Sequence, residues 1–247
     1  MPAGSASTTI SLMLISFIVP AHNEAHLLGA TLVALGEAAA ASGQTCETVV
    51  VDDASTDATA QVAARHGARV IRVEHRHIAA TRNAGAGAAH GELLVFVDAD
   101  TLIDAAVLSA AVAAIGEGAI GGGATIRLQG TPGWHARWTV ALLGWAFRLT
   151  GIAPGCFLFC TRAAFDAVDG FDERYYAGED VALSRALARA GRFVILRQQV
   201  RTSDRKLRTH SVAEHLRLIV RFAWRGTGVL KSRRDLELWY GERRHKP

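Results

Sequence analysis

The sequence predicts an α/β fold, with a mostly parallel central sheet flanked by helices in one compact domain. Three observations predict it. Short apolar, β-branched runs alternate with Ala- and Leu-rich helical segments from Leu14 to Asp100, the pattern of parallel βαβ units. The runs ending at Val19, Val51 and Val97 each pass directly into polar or acidic residues. No internal repeat and no Pro- or Ser-rich linker divides the chain.

Residues 14–19 are apolar and stopped by Pro20, which fixes a first strand. Residues 25–41 are rich in strong helix formers. Residues 47–51 make a second strand ending at Asp52-Asp53. Ser55-Thr56-Asp57 then offers N-cap chemistry for a helix to about Gly67. A weaker third strand follows at 68–73, a helix at 78–90 despite its glycines, and a fourth strand at 92–97. Beyond Thr101 the pattern changes. Residues 104–115 read as a helix, 121–128 as a Gly-started strand, and 138–160 as a helix followed by a buried strand. Residues 181–190 read as a helix and 193–196 as a strand. Residues 211–222 put Val212, Leu216, Ile219 and Phe222 on one face with Arg217 and Arg221 on its flank, an amphipathic helix. The expected organisation is an α/β domain over 1–210, with halves at about 14–101 and 102–210, and a basic helical extension over 211–247.

Half of the 247 residues are hydrophobic and 20% are charged, which allows a sizeable core and argues against disorder. The formal net charge is +4, and the basic excess gathers between Arg192 and Lys246. Such a stretch suits an anionic membrane surface or phosphate-bearing lipid, and equally a solvated helix face. Cys46, Cys156 and Cys160 suggest neither a disulfide framework nor a zinc site and fit a reducing compartment. Residues 1–9 lack the basic start of a signal peptide. The apolar run 10–19 is too short to cross a bilayer, and 138–160 is interrupted by Arg148, glycines and Pro154. The expected location is cytoplasmic, peripheral on the inner face of the membrane.

Four elements carry chemistry. In open parallel sheets, ligands sit outside the carboxyl ends of the strands. Residues 20–24, Asp52-Asp53 and 98–100 should therefore share one rim. Asp98-Ala99-Asp100 offers hard oxygen ligands for Mg²⁺ or Mn²⁺, metals that bind through one or two carboxylates plus substrate phosphates. Asp52 and Asp53 are adjacent acids at a strand end, which repel unless donors such as a base N–H or ribose hydroxyls meet them. Arg82, in Thr81-Arg82-Asn83, reads either as an exposed helix residue or as a guanidinium reaching over a nucleotide. Glu179-Asp180 precedes a helix, where the macrodipole favours one acid comfortably and two less well. Coming from the other half, the pair could face the rim across a cleft and supply a general base.

The order Ile-Val-Pro-Ala-His-Asn-Glu, Val-Val-Asp-Asp-Ala-Ser-Thr-Asp, Ala-Thr-Arg-Asn-Ala-Gly, Val-Asp-Ala-Asp and Gly-Glu-Asp resembles a family 2, GT-A-fold glycosyltransferase of the small stand-alone bacterial type. The match spans about 15–201. The resemblance implies that Pro20, Ala21, Asn23 and Glu24 line a nucleotide pocket and that Asp53 bonds the base. It implies Arg82 near the base or phosphates, Asp98 near the ribose or metal, and Asp100 on the metal. Asp180 would be the base for inversion, Glu179 would contact the acceptor, and 155–159 would form an acceptor-side loop. The implied donor is a UDP-, GDP- or dTDP-sugar, and the implied acceptor a free or lipid-linked hydroxyl; no nucleic acid is expected.

Processive members carry Gln-x-x-Arg-Trp, whereas here Gln198-Gln-Val-Arg201 is followed by Thr202, so transfer of a single sugar is expected. Arg201-Thr-Ser-Asp-Arg-Lys206 resembles a Thr-Ser-x-Arg-Arg segment, in which Arg205 and Lys206 either bind pyrophosphate or sit on the surface. His210 either completes a metal shell or is structural. Two competing functions are a nucleotidyltransferase and a non-catalytic nucleotide-sugar-binding protein. The first needs a Gly-rich, basic loop after the first strand, and Pro20-Ala-His-Asn-Glu24 is not one.

Overall fold

The computed structural model describes residues 13–128, 153 and 155–203. The first half alternates as expected: β1 (Ile15–Ala21), α1 (Ala25–Ser42), β2 (Cys46–Asp53), α2 (Thr59–Arg65), β3 (Arg69–Val73), α3 (Ile78–Ala88) and β4 (Leu93–Val97). The second half contributes β5 (Thr101–Leu102), α4 (Ala105–Gly116), β6 (Gly121–Leu128), β7 (Phe157–Thr161), α5 (Arg162–Ala167), α6 (Glu179–Ala190) and β8 (Phe193–Thr202). The described strands form one sheet in the order β3-β2-β1-β4-β7-β6-β8-β5. β1 runs parallel to β2 and β4, and β2 to β3, so these strands end on one edge. β7 is antiparallel to both β4 and β6, and β5 to β8, while β6 and β8 are parallel. The sheet is thus mostly parallel, with an antiparallel insertion joining its halves.

Strand periodicity divides the core between the two faces of the sheet. Phe17, Val19, Val95 and Val97 pack with Leu28, Leu32 and Leu35 of α1 and with Val107, Leu108 and Ala111 of α4. Ile18, Val49, Val51, Leu94 and Phe96 point the other way, towards Ala79 and Ala86 of α3 and Leu183 and Leu187 of α6. α3 lies very close to the sheet. A Cβ at Gly85 would sit 2.4 Å from Ile18 Cγ2 and 2.8 Å from Val51 Cγ2, so this helix position has no room for a side chain.

α1 is long and apolar enough to cross a membrane by length and composition. Its place in the fold says otherwise: it connects the parallel strands β1 and β2, buries Leu28, Leu32 and Leu35, and packs on α2 and α4. It is a crossover helix of the core.

Three elements differ from the sequence reading. β5 is two residues long, too short to leave a pattern. α5 was not expected; Thr161 caps it by accepting from Ala164 N. β8 continues to Thr202, well past Leu196. Its register against β6 shifts between Ala124 and Thr125, opposite Leu196 and Gln199, so polar Arg197 and Gln198 form an irregularity inside a continuous strand. The amphipathic segment 211–222, the residues Arg205, Lys206 and His210, and most of 138–160 lie outside the described residues.

Candidate active site

The rim is assembled by loops that tie the parallel strands together. His22 Nδ1 lies 2.7 Å from the Asp53 carbonyl oxygen, and the Asn23 amide donates to Ser55 Oγ at 2.9 Å. Asn23 takes a positive φ of 53°, and its Oδ1 accepts from the Thr56 amide at 2.8 Å. The Glu24 amide donates to Thr59 Oγ1, and Glu24 is the N-terminal cap residue of α1. Pro20 and Ala21 are buried in the last turn of ladder against Val51 and Asp52. The loops after β1 and β2 therefore form one hydrogen-bonded unit.

Asp53 organises the next loop. Its Oδ1 accepts from the Arg76 amide at 2.8 Å, and its Oδ2 from the His77 amide at 3.1 Å and Thr81 Oγ1 at 2.8 Å. Asp52 Oδ1 accepts from the Ser55 amide at 3.2 Å. The adjacent acids thus avoid repulsion by turning to separate backbone donors. Sequence reasoning placed the donors in a ligand; the protein itself supplies several of them.

Arg82 is the centre of the arrangement. Only 3% exposed, it is not the surface helix residue that was one reading of its motif. Nη1 donates to Glu179 Oε1 at 2.7 Å, while Nη2 donates to Asp98 Oδ1 and to the Gly155 carbonyl, each at 2.8 Å. The Phe171 ring lies 5.3 Å from its guanidinium carbon. Burial opposes the charge on Arg82, but Asp98 and Glu179 more than offset it and keep the guanidinium protonated.

Glu179 and Asp180 open α6, where the helix N-terminus favours negative charge. Burial still dominates for Glu179 and pushes its carboxyl up to about 7, with Arg82 pulling down and Asp180 pushing further up. Burial likewise raises the Asp180 carboxyl, against Arg82 and the Val181 amide that donates to its Oδ1 at 2.8 Å. One guanidinium faces Asp98, Glu179 and Asp180, so negative charge is in excess and a proton is retained more readily than in water. The Asp180 carboxylate also rests directly on the 155 loop: a Cβ at Gly155 would meet Asp180 Oδ2 at 2.6 Å. A side chain there would displace the Asp180 carboxylate.

Asp98 and Asp100 follow β4. The turn closes through the Thr101 amide on the Asp98 carbonyl, and Thr31 Oγ1 of α1 holds the Ala99 carbonyl at 2.9 Å. Thr202, at the end of β8, approaches Asp100 Oδ1 at 3.5 Å and also accepts from Thr101 Oγ1 at 3.1 Å. In the sequence, the signal for Thr202 is the Thr-Ser segment that begins there. Among the described residues, no group of three or more His, Cys, Asp or Glu side chains is placed to hold a metal. Two carboxylates after a strand fit a hard divalent cation whose remaining ligands are phosphate oxygens and water, as Mg²⁺ and Mn²⁺ are often held.

The comparisons agree with this architecture. The Glycosyl transferase family 2 profile matches residues 16–169. An uncharacterized glycosyltransferase of Mycobacterium tuberculosis is 33% identical over 138 residues, covering 54% of this chain and 59% of the relative. The chain thus spans little more than half the length of that relative. The mannosyltransferase PcManGT of Pyrobaculum calidifontis, solved with GDP-Man and Mn²⁺, superposes with a TM-score of 0.67 at 21% identity, over 87% of this chain and 62% of that one. Residues 1–349 of S. aureus TarS, solved with UDP-GlcNAc, give a TM-score of 0.64 at 19% identity, over 92% of this chain and 78% of that one. At these identities the structural likeness establishes the GT-A-like fold.

Proposed function

Because the chain belongs to Glycosyl transferase family 2, we propose that it transfers one sugar from a nucleoside-diphosphate sugar to a hydroxyl acceptor, with inversion and with a divalent cation. One observation carries the reading. Asp98, from the strand end of the first half, and Glu179, from the Gly-Glu-Asp segment of the second, meet on the two arms of Arg82, with Asp180 beside them. An in-line displacement needs this pairing of a donor side with a base on the opposite side.

In this reading the loops after β1 and β2 receive the nucleoside, and Pro20, Ala21, Asn23, Glu24 and Asp53 shape their pocket. Asp98 and Asp100 hold Mg²⁺ or Mn²⁺, which when bound supplies positive charge to the departing diphosphate. Asp180 takes the acceptor proton. Its carboxyl is raised by burial, which makes it a stronger base once ionised. Glu179 orients the acceptor-side loop through Arg82. No covalent enzyme intermediate is needed. The donor is a UDP-, GDP- or dTDP-sugar, a class supported by the ligands of the two structural neighbours. The acceptor is a free or lipid-linked hydroxyl, and the basic stretch after Arg192 suits a protein working at the cytoplasmic face of a membrane.

A thermal-shift panel of UDP-, GDP- and dTDP-sugars with Mn²⁺ tests the reading, followed by release of nucleoside diphosphate. Binding to the native state raises the melting temperature. At least one donor should do so only with the cation present. No shift and no turnover with any donor would sink the proposal.

A further inference from the structure

We infer that Arg82 is a positioning residue, which locks the Asp98 carboxylate of the donor side to the Glu179 carboxylate and Gly155 loop of the acceptor side without touching the donor. The inference rests on the glycosyltransferase reading above and departs from the nucleotide contact that the family resemblance implies.

Three segments far apart in sequence converge on one guanidinium. Nη2 binds Asp98 Oδ1 after β4 and the Gly155 carbonyl before β7, and Nη1 binds Glu179 Oε1 at the start of α6. The Phe171 ring packs near it. With the side chain 3% exposed, each outer nitrogen is engaged by an acceptor of the protein itself. Nε is also buried and has no hydrogen-bond partner among the described residues. Burying a charged group in this way is tolerated only where it is paired.

The path to the reacting groups is short. Arg82 holds the Gly155 carbonyl, and the Gly155 backbone is the wall on which Asp180 rests, since a Cβ there would lie 2.6 Å from Asp180 Oδ2. Arg82 also holds Glu179, the neighbour of Asp180 in the first turn of α6. It also fixes one oxygen of Asp98, whose side chain stays 23% exposed. One planar fork thereby sets the distance between the donor-side and acceptor-side carboxylates. A lysine would keep the charge but, as a point charge on a flexible stem, could not hold the three acceptors in this geometry.

The test compares the wild type with Arg82→Lys, using with Mn²⁺ whichever sugar of the UDP-, GDP- and dTDP-sugar panel, UDP-GlcNAc and GDP-mannose included, the wild type turns over. If Arg82 positions, donor Kd should stay within about threefold while turnover at saturating donor falls about 100-fold, the effect of a small misplacement of reacting groups. A donor Kd weakened in step with kcat/KM, with saturated turnover unchanged, would overturn the inference and return Arg82 to the donor pocket. Unchanged binding and turnover would also overturn it. Should Arg82→Lys fail to fold, Glu179→Gln reads the same link from its other end while keeping shape and an acceptor for Nη1. It should lower turnover and spare donor binding, and the reverse pattern overturns the inference. A wild type that binds and turns over no sugar of the panel fails the glycosyltransferase reading itself, and the inference falls with it.

Discussion

Arg82 Nη1 donates to Glu179 Oε1 at 2.7 Å, joining two buried side chains 97 positions apart. The contact makes the acceptor-side carboxylates sensitive to everything that Arg82 also holds. It also leaves three acids around one cation, and that imbalance has a consequence for stability as pH changes.

Glu179 has its carboxyl raised from 4.5 to about 7 by burial, so the folded protein binds more protons than the unfolded chain between those values. Its contribution is therefore full below pH 4.5 and is lost as pH rises toward 7. Glu47 behaves oppositely. Burial pushes it up, but hydrogen bonds from Ser16 and His90 outweigh that and hold it at about 2. Its contribution is present above 4.5 and lost as pH falls toward 2. Urea midpoints measured across pH should show Glu179→Gln flattening the upper slope and Glu47→Gln the lower one. Identical pH profiles for wild type and Glu179→Gln would remove Glu179 from the account.

Asp100→Ala should abolish the Mn²⁺-dependent part of donor binding while the fold survives. Asp100 is buried and Thr202 approaches its Oδ1 at 3.5 Å, so the melting temperature is read beside donor binding. EDTA should reproduce the defect in the wild type. If neither the substitution nor EDTA changes donor binding or turnover, the cation has no part in the reaction.

Gly155→Ala probes the wall behind the base. The added Cβ would fall 2.6 Å from Asp180 Oδ2, so the carboxylate must move. Turnover should fall about 100-fold with donor affinity kept, because only the acceptor side is disturbed. Circular dichroism and the melting temperature should stay near wild type. Unchanged turnover would show that Asp180 has room to spare.

Much of this was legible in the sequence because the relevant signals are local. The apolar runs before Pro20, Asp52 and Asp98 mark strand ends, and parallel strands must bring those ends to one edge. The acids and Arg82 were recognisable from their motifs. Their partners were not. Nothing near Arg82 in sequence indicates that its fork closes on Glu179 and on the Gly155 carbonyl, since those bonds depend on how β7 and α6 dock. The adjacent acids at 52–53 imply donors in a ligand, whereas for Asp53 the amides of Arg76 and His77 and the Thr81 hydroxyl fill much of that need. The apolar pattern of β8 stops at Leu196 because the polar Arg197 and Gln198 look like a loop, whereas they are an irregularity within the strand. That extension is what carries Thr202 to Asp100.

The basic stretch after Arg192 leads to a prediction about location. The protein should sediment with vesicles containing anionic lipid, and added salt should weaken this, because exposed charges are screened within about 10 Å at moderate ionic strength. Equal partitioning into neutral and anionic vesicles would count against a membrane role for the segment.

Asp180 separates a structural acid from a chemical one. A carboxylate in the first turn of a helix can simply satisfy backbone amides, and Asp180 does accept from the Val181 amide at 2.8 Å. Its surroundings go further than that role requires. Burial raises its carboxyl, a second acid stands beside it, and the Gly155 backbone presses against its oxygen. Asp180→Asn keeps the size, the shape and an oxygen for Val181 while removing the proton acceptor. If Asp180 is the general base, transfer should fall by roughly two to four orders of magnitude with donor affinity intact. The acidic limb of the wild-type pH–rate profile should lie above the usual aspartate range, since activity appears only as the raised carboxyl ionises. Melting temperature should change little, because Asn keeps the oxygen that accepts from the Val181 amide. Single-turnover transfer, donor titration and thermal melts on the same variant decide the matter. Intact transfer would make Asp180 a helix-terminus acid and nothing more.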